Sequence, residues 1–594
     1  MDAMITTMPF QIEKLRHAYR KGLRPETVIG EAFRRLEETG DGGIFIHTDR
    51  DAALAAAAAL GAYDGRPLWG IPFAVKDNID VAGMPTTAAC PDFSYLPDQD
   101  ALTVARLKAA GAICLGKTNL DQFATGLVGL RTPYPAPKNA LDPLIVPGGS
   151  SSGSAVAVAR DIVAFSLGTD TAGSGRVPAA LNNIVGLKPT LGALSCSGVI
   201  PACRSLDTVS VFARSVDDAW IVYSEAAAFD PEDVYSRPLP TPRLWGVPPV
   251  LRIGVPDAAS LETFGDALQK ESFRKTLAML KLNGAVIAEI DFTPFFDVAG
   301  LLYGGAWVAE RIAAVGDRLA TAPQTMHPTV RAVLEPGFAV TAADAFRDTY
   351  RLRALDRRCR EVMADLDLLC VPSIPTFISV AEVEAEPVAA NSKLGTYTNF
   401  VNLLDLCAIA VPTDRRADAR PGSVTLIAER GRDALCAAVA GRIERDAGKA
   451  PRLLPAPDVQ EDEIALAVCG AHMSGLPLNG ELTRRDARFL RRCRTAPRYS
   501  FHALAGSAPK RPGLVLEKEG GTAVAVEVWA LPRKYVGDFL DGIPAPLAIG
   551  TVLLDDGTVV KGFVCEAGAL DGAEDISELG DWRNYLGRHM SRGA

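Results

Sequence analysis

Two short stretches rich in glycine and serine carry the residues best suited to covalent chemistry. Pro147-Gly-Gly-Ser-Ser-Ser-Gly-Ser154 comes first, and Gly168-Thr-Asp-Thr-Ala-Gly-Ser-Gly-Arg-Val-Pro178 follows. In the second, Ser174 stands between Gly173 and Gly175, just after an apolar run that ends at Gly168. A serine so placed has an accessible hydroxyl and free backbone N–H groups around it, which an acyl-transfer nucleophile and its oxyanion hole require. The hydroxyl still needs a base. The chain has six histidines, and none is near either serine in sequence. A lysine can serve if it is buried and neutral. Lys76 is the candidate, at the end of Gly70-Ile-Pro-Phe-Ala-Val-Lys76 and beside Asp77 and Asn78. Read singly, each feature has a plainer meaning: a Gly/Ser loop is usually a turn, and a lysine at a strand end usually reaches solvent. A phosphate cradle also suits the first loop, but Gly153 is followed by Ser154 and Ala155 instead of the Lys-Ser/Thr of a Walker loop.

These residues need a scaffold. Residues 10–39 read as two amphipathic helices parted near Gly22–Pro25, with Leu15, Tyr19 and Leu23, then Val28, Ala32 and Leu36, at helical spacing. Strands at 70–76, 112–117 and 163–168 alternate with helices at 101–110 and after the first Gly/Ser loop. This pattern predicts an α/β domain with a mixed central sheet flanked by helices. Helices are expected at 265–283, 297–315 and 340–364, and strands at 251–255, 368–371, 403–411 and 423–428. The proline-rich stretch 229–249 reads as a surface connection within that domain. Three prolines among polar residues mark a linker at 449–461 between a first domain, 1–448, and a smaller α+β domain, 462–594.

The bulk numbers agree. At 594 residues, 48% hydrophobic and 22% charged, the chain has material for more than one core. A net charge of −9 without a basic stripe argues against nucleic acid as a partner. The cluster Arg491, Arg492 and Arg494 reads as a solvated helix face. Eleven scattered cysteines, an odd number without a CxxC pair, suggest reduced thiols in a cytoplasmic protein. No signal peptide, membrane span, metal cluster or dinucleotide fingerprint is read, so no membrane, metal or cofactor is implied.

Taken in order, Gly70–Asp77, Gly116-Lys-Thr-Asn-Leu-Asp-Gln-Phe123, Pro147–Ser154, Gly168–Pro178 and Gly186-Leu-Lys-Pro-Thr190 resemble the amidase signature family over residues 20–445. The resemblance implies that family's fold and a Ser-cisSer-Lys triad. In it Ser174 is the nucleophile, Ser150 follows a cis peptide, and Lys76 is the base. It further implies that the N–H groups of Thr171, Ala172, Gly173 and Ser174 hold the oxyanion. Asp170 and Arg176 are expected to brace the loop; the plainer reading is a surface ion pair.

Leu302-Tyr-Gly-Gly-Ala-Trp-Val-Ala-Glu-Arg311 resembles the allophanate hydrolases within that family, which implies that Tyr303 and Arg311 hold a substrate carboxylate, with Gly126 lining the pocket. On spacing, Tyr303 and Arg311 would share one face of a single helix. Residues 462–590 resemble the extra domain of those enzymes, similar to γ-glutamyl cyclotransferase-like folds. The implied substrate is allophanate supplied by a urea carboxylase, the implied assembly a homodimer, and the C-terminal domain would assist decarboxylation through His472 or serve only as structure. The segment 411–423 departs from the family in its arginines, which bears on the mouth of the pocket. Other amidases, an amidotransferase subunit and a non-catalytic scaffold on the same fold are the rival readings.

Overall fold

The computed structural model describes residues 5–448, 454–506 and 508–590, so part of the 449–461 stretch lies outside the described residues. The chain forms two compact units: residues 1–242, 253–281 and 287–453, and residues 243–252, 282–286 and 454–594. The proline-rich stretch therefore does more than connect elements of one domain, since its last residues group with the second unit.

The first unit is built on an eleven-stranded mixed sheet. Its strands are β1 (Phe45–Thr48), β2 (Pro72–Lys76), β3 (Ile113–Thr118), β4 (Phe165–Asp170), β5 (Val185–Lys188), β6 (Thr208–Ala213), β7 (Leu251–Pro256), β8 (Ala285–Ile290), β9 (Leu368–Pro372), β10 (Leu406–Thr413) and β11 (Gly422–Glu429). Their order is β1-β3-β2-β4-β6-β5-β10-β11-β9-β7-β8. β2 runs parallel to both β3 and β4, so Lys76, Thr118 and Asp170 all stand at the same, carboxyl edge. Every residue of β2, β3 and β4 is buried, as expected of parallel strands covered on both faces. The covering helix Ser152–Ala159 is made of small residues, all buried except the last.

Two helical expectations change. The single helix expected over 297–315 is two, Thr293–Gly304 and Trp307–Thr321. Gly305 is extended at the break (φ −125°, ψ −164°), and Ala306 N–H donates to Asp348 Oδ2 at 2.8 Å. Glycine there loses nothing by leaving the helix, and a distant carboxylate takes the freed amide. The stretch 293–321 is apolar enough for a membrane span. Broken into helices of 12 and 15 residues, neither piece has the ~20 residues a crossing needs. The arginine cluster near 491 lies on a strand, not on a helix, and the strand pairs antiparallel with its neighbour. Arg491 and Arg492 reach Asp556 and Asp581.

The second unit contains β12 (Glu463–Val468), β13 (Arg488–Arg494), β14 (Tyr499–Ala503), β15 (Pro512–Leu516), β16 (Ala525–Pro532), β17 (Leu547–Leu553), β18 (Val559–Cys565) and β19 (Glu574–Asp575). They form a sheet β13-β16-β12-β18-β17 and a smaller one β15-β14-β19. Phe489, Tyr499, Phe501, Trp529 and Trp582 fill the core between them.

Candidate active site

Lys76 is the last residue of β2 and is wholly buried. Its Nζ donates to Ser150 Oγ at 2.8 Å and to Thr169 Oγ1 at 2.7 Å, and Ser150 Oγ donates to Ser174 Oγ at 3.0 Å. The three residues proposed from sequence are thus joined by direct hydrogen bonds, and none is more than 2% exposed. Ser150 lies in the loop that opens the helix Ser152–Ala159 and follows a cis peptide bond. Two glycines of that loop have steric reasons. A Cβ at Gly149 would sit 2.0 Å from Asp121 Oδ2, and one at Gly153 would sit 2.2 Å from Ile44 O. The run Gly-Gly-Ser-Ser-Ser-Gly therefore records how closely this loop approaches its neighbours.

Burial lowers the pKa of Lys76 to about 7, against the opposing pull of Asp121, Asp207 and Asp170. Its hydrogen-bond partners are two hydroxyls. Near neutral pH a large fraction of the amine is uncharged and able to accept a proton.

Ser174 follows β4 in the loop that leads to the helix Val177–Leu181. Asp170 and Arg176 brace this loop from within and are fully buried, so the surface-pair reading is excluded. Burial opposes ionisation of Asp170, yet the Arg176 guanidinium holds its carboxyl below the usual range. Asp170 also accepts the N–H groups of Gly173 (2.9 Å) and Gly175 (3.0 Å). The amide of Gly173, which the resemblance placed in the oxyanion set, is engaged by Asp170. Among the described residues the amides of Thr171, Ala172 and Ser174 have no protein acceptor.

Tyr303 and Arg311 come from different helices, yet the structure brings them together. Arg311 Nη2 donates to Tyr303 Oη at 3.4 Å, and its guanidinium carbon lies 5.2 Å from the Tyr303 ring centroid. Arg311 Nη1 donates to Thr125 Oγ1 at 3.2 Å. Arg311 is 1% exposed, and among the described residues it has no carboxylate within ion-pair distance and no partner for Nε. A buried, always-charged guanidinium in that condition is suited to an anionic ligand. At Gly126 a Cβ would meet Asp121 Oδ2 at 2.5 Å and Arg131 Cδ at 3.1 Å, so the requirement for glycine is close packing against those side chains. The arginine-rich segment 411–423 is anchored by Arg416, which is buried and pairs with Asp266 at 2.8 Å and Asp418 at 2.9 Å.

Sequence reasoning missed Thr169, Asp121 and Asp207. Asp121 accepts the amides of Gly129 and Arg131 at 3.0 and 2.9 Å, while Ser150 O accepts its own N–H at 3.0 Å. Thr169 and Asp121 lie inside the motif segments, where the signal was present. Asp207 lies outside them.

In the second unit, His472 Nε2 is 2.9 Å from Glu481 Oε2 and its ring stacks on Phe563 with centroids 4.9 Å apart. Burial lowers its pKa although Glu481 pulls the other way. It lines a depression together with Gly470, Glu481, Arg511, Pro544 and Phe563.

A family model for amidases matches residues 27–437, and one for the allophanate hydrolase C-terminal domain matches residues 464–587. The chain is 44% identical over 544 residues to urea amidolyase of Lachancea kluyveri and 42% identical to that of Saccharomyces cerevisiae, in each case over 88% of this chain and 30% of the relative. It thus spans about a third of the length of these curated relatives. The structure of Kluyveromyces lactis allophanate hydrolase is 39% identical with a TM-score of 0.77, covering 96% of this chain and 98% of the other. That of K. lactis urea amidolyase is 39% identical with a TM-score of 0.78, covering 98% and 37%.

Proposed function

The chain belongs to the amidase family, and from that premise we propose that it hydrolyses allophanate (urea-1-carboxylate) through an acyl-enzyme on Ser174. The observation that carries the proposal is the hydrogen-bonded line Lys76–Ser150–Ser174, with a buried Arg311 free of carboxylate partners in the same unit.

Once both serine hydroxyls have rotated to point towards Lys76, reversing the two hydrogen bonds of the resting site, Ser174 Oγ attacks the carbonyl carbon of the terminal amide as its proton passes to Ser150 Oγ and the Ser150 proton passes to neutral Lys76 Nζ. Thr169 orients the amine by taking one of its N–H bonds. The negative charge that develops on the carbonyl oxygen falls to the free amides of Thr171, Ala172 and Ser174, fixed before the reaction begins. The proton held on Lys76 returns through Ser150 to the leaving nitrogen, and the C–N bond breaks to release ammonia. Water then attacks the acyl ester by the same relay and frees N-carboxycarbamate. Arg311 and Tyr303 hold the carboxylate of the substrate, which sets the carbonyl over Ser174. Gly126 allows the Asp121 loop to close beside them.

A urea carboxylase would supply the substrate, and the relatives named urea amidolyase support that link. In the second unit, His472 in its cleft would assist loss of carbon dioxide from N-carboxycarbamate, for overall products of two ammonia and two carbon dioxide. A cytoplasmic homodimer completes the proposal. The test is ammonia release from allophanate by Ser174→Ala. Activity should fall by about 10⁴-fold or more; retained turnover would reject the nucleophile.

A further inference from the structure

The loop that carries the oxyanion amides is tied down at nearly every residue. Asp170 takes the amides of Gly173 and Gly175, Thr398 Oγ1 donates to Ala172 O at 2.7 Å, and Asn402 Nδ2 donates to Asp170 O at 2.8 Å. Thr171 is the exception within this set, and its tie leads elsewhere. Its hydroxyl donates to Asp207 Oδ1. The Asp207 carboxylate is buried, has no cation in contact among the described residues, and is itself held by the amides of Ala202 (2.8 Å) and Cys203 (3.2 Å).

The same turn is fastened at its other side to the helix that bears Arg311. Ser205 donates to Glu310, by its amide at 2.7 Å and by its hydroxyl at 2.8 Å. Cys203 Sγ donates to Trp307 O at 3.5 Å. Glu310 is the residue next to Arg311. One short turn therefore connects the oxyanion loop to the helix of the carboxylate anchor.

We propose that the turn 202–207 is a spacer that fixes the position of the oxyanion loop relative to Arg311, with Asp207 and Ser205 as its positioning residues. The physical reason lies in the substrate. Allophanate is short and has few rotatable bonds, so a carboxylate held by Arg311 places the reacting carbonyl at one distance only. An anchor and an oxyanion hole that shift independently would lose that alignment, whereas a small uncharged amide has no anchored end to keep in register. The inference rests on the proposed substrate and assigns the residues that match the site to its length.

Two variants cut the two ends. Thr171→Val removes the hydroxyl donor at nearly constant shape, with Thr171→Ser as its rescue; Glu310→Ala removes the acceptor of both the Ser205 amide and the Ser205 hydroxyl. Two readouts are needed: kcat for allophanate, and the rate at which a fluorophosphonate phosphonylates Ser174, which requires the hole but no anchor. We expect each variant to lose about 10- to 100-fold in kcat. Thr171→Val should also slow phosphonylation, and Glu310→Ala should leave it unchanged. The double variant should cost little more than the worse single, since either cut slackens the same connection, which Asn402 Nδ2 still holds at Leu206 O (2.9 Å). Thr171→Ser should restore both rates. Unchanged kcat in both single variants, fully additive losses, or equal slowing of phosphonylation by Glu310→Ala would overturn the proposal. If the wild-type protein phosphonylates at Ser174 but leaves allophanate untouched, the substrate reading fails and the spacer to Arg311 fails with it, while the effect of Thr171→Val on labelling still judges the Asp207 contact.

Discussion

Lys76 and Lys117 stand on neighbouring parallel strands, one residue apart in register, and both are wholly buried. Their surroundings differ in one respect. Lys117 Nζ lies 3.3 Å from Asp77 and also donates to Thr86 Oγ1 at 2.7 Å and Pro85 O at 3.2 Å. Among the described residues Lys76 has hydroxyls alone. Burial lowers both pKa values, but only at Lys117 does a contacting carboxylate hold the charge. The arginines repeat the contrast: Arg176 is locked to Asp170, while Arg311, equally buried, is left without a carboxylate. The contrast is specific to these two pairs, since buried Lys188 and Arg131 also lack a contacting carboxylate among the described residues and donate to backbone carbonyls instead.

The contrast can be broken most forcefully at the lysines. Lys76→Met should lose about 10⁴-fold or more in kcat. The same variant should not lose stability. A buried lysine whose pKa is depressed binds its proton less well when folded than when unfolded. The resulting penalty is full below pH 7 and fades as pH rises from about 7 towards the ordinary lysine value. Removing the amine should raise the stability at pH 7 by on the order of 1–3 kcal/mol in a denaturant titration. Lys117→Met should do the reverse, costing about 3–5 kcal/mol because Asp77 is left buried without a cation, held only by the amide and hydroxyl of Thr87. Equal destabilisation by both would end the distinction.

The arginine half of the contrast predicts a smaller and different split. Arg311→Met should raise KM for allophanate by about 10²- to 10³-fold through loss of a charge-assisted fork. Turnover of a small uncharged amide should change little. Arg176→Met should reduce kcat for both and lower Tm, since it leaves Asp170 without its cation. Smallest is the effect expected at His472. His472→Ala should leave the rate of the first ammonia unchanged and delay only carbon dioxide and the second ammonia, read by a coupled time course. A matching delay in the first ammonia would remove the division of labour between the units.

How much of this was legible in sequence follows from distance along the chain. Ser174 was readable as a glycine-flanked serine after a strand, whereas Lys76 read alone as a lysine at a strand end and Ser150 took its role only from the resemblance of five ordered segments to the amidase signature family. The α/β alternation and the second α+β unit were readable from local pattern. The break at Gly305 was not, since its stabilising partner Asp348 lies 42 residues from the amide it accepts. Nor was the engagement of Gly173, where a neighbouring carboxylate competes for an amide that the motif offers equally to a ligand. The strand Arg488–Arg494 was misread because its arginines find partners at Asp556 and Asp581 across the second unit. Asp207 had no local signal at all, and only its contact with Thr171 exposes it.

The account depends most on an uncharged amine at Lys76, and the pH dependence of kcat/KM for ammonia release addresses it directly. The rate should rise about tenfold per pH unit on the acid side and level off near pH 7, where burial has placed the lysine. A rate that stays constant from pH 8 down to pH 5.5 would mean that the base does not titrate there, and would contradict the assignment.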